Sequence, residues 1–283
     1  MELTFASMFA GIEAPRVALE PLGWKCVWEN EIDKNCCKLL RKHYGDKELV
    51  EGDIRNVDTR SIPNHTLLIA GFPCQSFSVA GKRKGTTEAR GTLFAQIVRV
   101  ATIKRPKFLL LENVKGLLSS DNGRDFAKIL RVLGNLGYVL EWQVLNSKYF
   151  GIPQDRERLF IIGYLGEQCP RGIFPIPLEP INGESVEEWQ SATSSTLSTK
   201  CVERWNCPAV EVLQQSKNGD TIRYLIPIEC ERLQGFPDNY TEGFSREIRF
   251  KMLGNSMTTN VIQWLGKQIM SLGPIDFSSK KRK

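Results

Sequence analysis

A chain of 283 residues, 41% hydrophobic and 25% charged, can bury a full core and fits one large domain plus a smaller one. No apolar run approaches a membrane span, and the start, Met1-Glu2-Leu3-Thr4-Phe5, opens a strand rather than a signal peptide, so a cytosolic or nuclear compartment is expected. The net charge of +6 permits a polyanionic partner without demanding one; 8 cysteines without a Cys-x-x-Cys pair, beside only 2 histidines, predict reduced thiols and no structural metal.

In chain order, the apolar run Leu3–Phe9 predicts a strand that ends in Ala10-Gly11-Ile12, with a helix following to Leu22. A glycine there lets the backbone approach a ligand, and the helix start offers free N–H groups. The glycine pattern of dinucleotide folds is incomplete, because Glu13 and Ala14 stand where more glycine is expected. Lys25–Glu29 reads as a second strand and about Asp33 to His43 as a helix. Glu31 lies about twenty residues beyond the first turn, the spacing at which an acid contacts ribose hydroxyls. Asp53, in Glu51-Gly52-Asp53-Ile54, ends a third strand candidate. Glycine, Glu and Asp at three strand ends suit an adenosine-containing ligand. A phosphate-bearing one fits less well, since no Walker pattern exists and Glu13 repels a pyrophosphate. For either acid alone, capping a helix is the competing reading.

Leu67–Ala70 and Phe108–Leu111 are short, all-apolar and bounded by polar turns, as strands buried on both faces should be, and Thr92–Lys104 between them has helical spacing. This alternation predicts an α/β fold with a doubly wound, mostly parallel sheet whose ligands sit at the carboxyl ends of the strands. The first of these strands runs into Gly71-Phe72-Pro73-Cys74-Gln75-Ser76-Phe77-Ser78. A cysteine on a Gly/Pro turn after a buried strand is either a reactive nucleophile or a core thiol beside a turn. Gly81, Gly85 and Gly91 beyond it are possible hinges; Lys82, Arg83, Lys84 and Arg90 are phosphate contacts or a solvated loop. Glu112 follows Phe108–Leu111 at the strand end, where burial raises a carboxyl pKa enough to hold a proton near neutrality. Gln154-Asp155-Arg156-Glu157-Arg158 precedes a strand at Leu159–Tyr164 and alternates its arginines onto one face. These are planar forks for a phosphate or base edge, or members of a salt-bridged edge with Asp155 and Glu157.

Residues 166–222 carry Pro170, Pro175, Pro177, Pro180 and a Ser/Thr run from Ser191 to Thr199, which predicts a smaller, loop-rich unit. A short helix is expected from Pro227 through Gln234 and another from Thr258 to about Ser271. The domains expected are 1–165 with 250–275, then 166–249, and a basic tail at 276–283 whose Lys280–Lys283 is a solvated terminus or a nucleic-acid patch.

Pro73-Cys74-Gln75, Glu112-Asn113-Val114, Gln154-x-Arg156-x-Arg158, the run from Arg223-x-Leu225-x-Pro227 to Gly235-Phe236-Pro237, and Gly254-Asn255-Ser256 occur in the order of the cytosine-5 DNA methyltransferase family. The chain resembles a compact bacterial or phage member over nearly all its length outside about 166–222 and the tail. That resemblance implies a Rossmann-like class I methyltransferase fold with a target-recognition domain at 166–249. It also implies S-adenosyl-L-methionine as cofactor, double-stranded DNA as partner and a cytoplasmic setting. No metal is expected, and a monomer is expected because nothing in the sequence marks a dimer seam. Cys74 is implied as the thiolate that adds to carbon 6 of a flipped-out cytosine, with Glu112 holding or delivering a proton at N3. Arg158 is implied at the cytosine carbonyl oxygen, with Arg156 fixing the geometry. Implied cofactor contacts are Phe9, Gly11, Ile12, Glu31 on the ribose, Ile32 against the adenine, Asp53, Ile54, Pro73, Asn255 and Ser256. Implied DNA contacts are Gln75, Ser78, Lys82, Arg83, Lys84, Arg90 and Gln154, with base readers in the variable region such as Arg171, Gln190, Lys200, Arg204, Trp205 and Asn206. The tRNA-methylating branch shares Pro-Cys-Gln and Glu-Asn-Val, but its usual Cys-Phe-Thr segment is absent here, which favours DNA. A catalytically silent DNA-binding homologue is opposed by the intact Cys74, Glu112 and arginines. Glu13 and Ala14 replace the family's usual glycines, Ile32 a frequent aromatic and Ile226 a common threonine.

Overall fold

The computed structural model describes residues 2–72, 93–166, 172–174, 194–195, 212–214 and 221–272. Pro73, Cys74, Gln75, Ser78, Lys82, Arg83, Lys84 and Arg90, the candidate base readers and the basic tail lie outside the described residues. The strands of the first part are β1 (Thr4–Met8), β2 (Lys25–Glu31), β3 (Leu49–Glu51), β4 (Leu67–Gly71), β5 (Phe108–Val114), β6 (Tyr138–Asn146), β7 (Gln154–Asp155) and β8 (Glu157–Leu165). All but β7 form one sheet in the order β3-β2-β1-β4-β5-β8-β6. The pairs from β3 to β5 are parallel, and β8 is inserted antiparallel between β5 and β6. β7 pairs with residues 194–195, and Val212–Gln214 pairs with Thr221–Arg223 as a separate antiparallel ribbon.

The apolar runs lie where a parallel sheet needs them. Leu67, Leu68, Ile69 and Ala70 of β4 and Leu109, Leu110 and Leu111 of β5 have no exposed surface, because helices cover both faces. On one face Phe5, Leu67, Leu110 and Phe160 meet α1 (Ala14–Leu19) and α2 (Lys34–Tyr44). On the other, Leu68, Leu109 and Ile161 meet Ile97 and Val100 of α3 (Leu93–Lys104) and Ile129 and Leu133 of α4 (Arg124–Asn135). The helix after β2 starts where Asp33 caps it, its carboxylate accepting from the Asn35 and Cys36 amides.

Three further helices, α5 (Pro227–Leu233), α6 (Arg246–Asn255) and α7 (Thr259–Ser271), return to the first face. α7 crosses α1 so closely that a Cβ on Gly266 would stand 2.3 Å from Leu19 Cδ2, and the buried Leu19 side chain would have to shift to admit it. Leu225, Cys230, Leu233, Phe236, Tyr240, Met252 and Leu253 are buried in the same core as β1 and α1. Buried residues of the stretch 225–249, grouped by the sequence with the recognition unit, thus belong to the core of the first unit. β5 also runs further than its apolar residues suggest. Glu112 stands inside it, between Gly71 of β4 and Phe160 of β8, rather than at its end.

Candidate active site

Strand order reverses between β1 and β4, and ligands in open α/β sheets sit outside the strand ends at such a point. A cavity of about 570 Å³ opens there, lined by Phe9, Gly11, Glu31, Ile32, Asp53, Ile54, Glu112, Arg156, Arg158 and Asn255 among others. Side chains expected on a cofactor and side chains expected on a base thus share one space.

The first turn takes a left-handed backbone at Phe9, Gly11 and Glu13. Glu13 stands where the family has glycine and keeps the glycine-like conformation, with φ 56° and ψ 54°, while its carboxylate caps α1 by accepting the Arg16 amide at 3.2 Å. Glu31 closes the turn from the side. Its Oε2 accepts the Gly11 amide at 2.6 Å, and its Oε1 accepts the amides of Ile32 and Asp33, both at 2.7 Å. Asp53 caps the short helix Ile54–Asn56 and is gripped by the Arg55 guanidinium, whose hydrogen bonds hold its pKa below the usual value. Both acids therefore cap backbone and line the cavity together; the two readings are compatible. Ile32 is 64% exposed at the cavity wall, an apolar surface with little protein over it.

Glu112 and Arg158 meet by strand register. In the antiparallel β5–β8 pair Glu112 faces Phe160 and Val114 faces Arg158, so Glu112 and Arg158 are diagonal neighbours on one face of the sheet. Arg158 Nε lies 3.2 Å from Glu112 Oε1, with the two side chains 19% and 13% exposed. Burial raises the Glu112 pKa, against the opposing pull of Arg158 and then Arg156. Arg156 is 2% exposed and donates through Nη2 to the carbonyls of Gly254 and Ser256, at 3.2 and 2.8 Å. Burial and the like charge of Arg158 press its pKa down, yet a guanidinium stays protonated. It ties Gly254-Asn255-Ser256, at the end of α6, to the start of β8.

Three of the expected contacts have buried side chains. Gln154, expected on DNA, has no exposed surface, and its amide donates to the Leu233 carbonyl, so the side chain joins β7 to α5 instead. Ile12 is 1% exposed and belongs to the apolar core beneath the turn. Ser256 is 7% exposed, its Oγ donates to the Met257 carbonyl, and what it offers the site is its own carbonyl to Arg156. Conversely Asn30, Lys251 and Met252 line the cavity without having been singled out. Asn30 had a signal, a polar residue just before the strand-end Glu31, and its amide bonds the Val50 and Gly52 carbonyls at 2.8 and 3.0 Å. Lys251 reaches Asp33 at 3.1 Å from a helix the sequence did not mark. Among the described residues no three His, Cys, Asp or Glu side chains come together as a metal site, and no helix is long and apolar enough to cross a membrane.

Residues 3–196 and 178–271 match the family model described as C-5 cytosine-specific DNA methylase. The chain is 34% identical over 317 residues to the type II methyltransferase M.DsaV of Dactylococcopsis salina, covering 99% of this chain and 89% of that protein. It is 32% identical to the type II methyltransferase M.HhaI of Haemophilus parahaemolyticus, covering 95% and 94%. Among solved structures, the S. pombe Dnmt2 methyltransferase superposes with a TM-score of 0.75 at 20% identity, covering 96% of this chain and all of that one. That last likeness is one of fold.

Proposed function

The chain belongs to the C-5 cytosine-specific DNA methylase family, and on that premise we propose which of its residues carry methyl transfer from S-adenosyl-L-methionine to carbon 5 of cytosine in duplex DNA. The cavity's donor set fits a nucleoside-bearing cofactor. It offers the Glu31 carboxylate at a strand end, exposed apolar surface on Ile32, and backbone close at Gly11. Phe9, Gly11, Glu31, Ile32, Asp53, Ile54 and Asn255 would hold the cofactor, with Pro73 added from the sequence. When bound, S-adenosyl-L-methionine supplies an electrophilic methyl sulfonium.

The observation that carries the reading is the Glu112–Arg158 contact on the wall of that cavity. Carbon 5 of cytosine is a poor nucleophile until a thiolate adds to carbon 6. Cys74 makes that bond, and the electrons released into the ring settle at N3, where Glu112 supplies or holds the proton. A raised pKa suits Glu112 to this, because only a protonated carboxyl can donate. Arg158 addresses the carbonyl oxygen of the same ring and limits how far Glu112 is shifted. Loss of the carbon 5 proton after methylation expels the Cys74 thiolate. The base must leave the stack for any of this, so Gln75, Ser78, Lys82, Arg83, Lys84 and Arg90 are assigned to the opened duplex.

Because Leu225, Cys230, Leu233, Phe236 and Tyr240 belong to the core of the first unit, we place target recognition within 166–224. The bacterial relatives support a cytoplasmic enzyme of a bacterial or phage-infected cell, and we assign it as a monomer. Incubation with labelled S-adenosyl-L-methionine and either duplex DNA or tRNA, followed by nucleoside mass spectrometry, tests the substrate. 5-Methyldeoxycytidine is expected; label confined to tRNA would reject DNA. Cys74→Ser should abolish turnover while leaving cofactor binding intact.

A further inference from the structure

The turn Phe9–Glu13 holds an unfavourable backbone. Phe9 and Glu13 carry side chains yet take φ near +57° and +56°, and Gly11 between them takes +57°. Left-handed residues of this kind persist where the surroundings over-determine them. Three of the restraints are local to the sheet. The Ala10 amide donates to the Asn30 carbonyl at 2.9 Å, the Gly11 amide to Glu31, and Glu13 caps α1.

Another comes from 228 residues away. Tyr240 Oη donates to the Ile12 carbonyl at 2.9 Å. Tyr240 is 5% exposed and is itself held with care. The His43 ring stacks on it at 4.2 Å with planes 5° apart, and His43 Nε2 lies 2.7 Å from its carbonyl oxygen. Tyr44 Oη lies 3.1 Å from Tyr240 Oη, so Tyr44 donates while Tyr240 gives its own proton to Ile12. The loop that presents Tyr240 is pinned by Glu231, fully buried, whose carboxylate accepts the Asn239 and Thr241 amides, each at 2.8 Å, and Arg249 Nη2 at 2.9 Å. Tyr240 does not line the cavity; its hydroxyl meets the turn that does.

We infer that Tyr240 is a positioning residue for the cofactor: by holding the Ile12 carbonyl it sets the turn that Phe9 and Gly11 present, and so couples the C-terminal loop to cofactor affinity. The inference rests on the assignment of S-adenosyl-L-methionine to this cavity. Tyr240→Phe keeps the ring and its stacking and removes one hydroxyl. Equilibrium dialysis with S-adenosyl-L-methionine, and steady-state kinetics varying cofactor and DNA separately, should show cofactor Kd and KM raised about three- to tenfold, the range expected for one buried hydrogen bond. The kcat and the KM for DNA should stay within about twofold, since nothing at Glu112 or Arg158 changes. His43→Phe keeps the stack but drops the bond to the Tyr240 carbonyl, and should shift cofactor Kd the same way by about twofold. This second variant decides the matter if Tyr240→Phe proves unstable. Unchanged cofactor affinity in both, or kcat and both KM values moving together, would overturn the inference. A wild-type protein that binds no S-adenosyl-L-methionine would instead overturn the assignment on which it stands.

Discussion

The side-chain amide of Asn113 donates to the Phe72 carbonyl at 2.8 Å, and its Oδ1 accepts the Val114 amide at the same distance. Asn113 is 2% exposed and, as the strand neighbour of Glu112, projects to the opposite face of the sheet. One strand thus aims its carboxylate into the cavity and uses the next residue to hold the chain leaving β4, two residues before Cys74.

Asn113→Asp replaces that donor with an acceptor facing a carbonyl. Leaving such a buried group unsatisfied costs about 1–3 kcal/mol, which we expect to divide between stability and the placement of Cys74. The expected result is a lower melting temperature and a kcat reduced by about tenfold or more, with cofactor KM nearly unchanged. A kcat equal to wild type would show that the Phe72 anchor does not serve Cys74, the proposed nucleophile.

Gly71 is the β4 residue paired with Glu112, and a Cβ built on it would stand 3.3 Å from Glu112 Oε2 and 3.7 Å from Met257 Cε. Gly71→Ala should therefore press on the carboxylate more than on the fold. We expect kcat to fall by about tenfold while the melting temperature moves only slightly, since the cost of one tight contact is about 1 kcal/mol. Kinetics and thermal denaturation of the same preparation separate the two; equal losses of both would mean the methyl group disrupts packing generally.

Much of this was legible from residue order. β4 and β5 announce themselves because a strand buried on both faces admits only apolar side chains, and Glu112 stands out at once as the first polar residue after such a run. β6 was hidden, since an edge strand carrying Glu141, Trp142 and Gln143 shows no clean alternation. α6 was hidden for a related reason: it buries only Met252, Leu253 and Gly254 of its ten residues, too narrow a face to read as helical spacing. Gln154 was assigned to DNA by resemblance alone, and its buried partner, the Leu233 carbonyl, lies 79 residues further on, out of reach of any local pattern. Glu13 read as a lost glycine, yet a buried cap lets a glutamate keep glycine's backbone.

Glu29 has no exposed surface and faces Arg16 Nη1 at 3.5 Å. Burial lifts its pKa to about 7, against 4.5 for a free glutamate, although Arg16 pulls the other way. Glu13, fully buried nearby, is lifted as well, by burial first and then by the charge of Glu29. A carboxyl lifted on folding favours the folded state while protonated. Its contribution is complete below the free value and is lost as pH rises through the folded value. Stability should therefore decline between about pH 4.5 and about pH 7 on this account, and Glu29→Gln, neutral throughout, should flatten that part of the profile. Melting curves of both proteins across this range provide the check; parallel profiles would remove Glu29 as the cause.

Glu31 satisfies three backbone amides with two oxygens, and its two natural replacements should fail differently. Glu31→Gln keeps one acceptor oxygen. If that oxygen serves Ile32 and Asp33, the new NH₂ group must face the Gly11 amide, donor against donor, and the first turn loses its restraint from β2. Glu31→Ala leaves all three amides to water or to nothing. Each broken charge-assisted bond is worth about 1.5–3 kcal/mol, so the order of cofactor affinity should be wild type, then Gln by about tenfold, then Ala by about a hundredfold or more. The kcat at saturating cofactor should suffer less than Kd in the Gln variant, because Glu112 and Arg158 are borne on β5 and β8, across the sheet from β2. Cofactor binding by equilibrium dialysis, set beside kcat for each variant, measures both. Equal affinity in the Gln and Ala variants would mean that the backbone contacts of Glu31 do not set cofactor affinity.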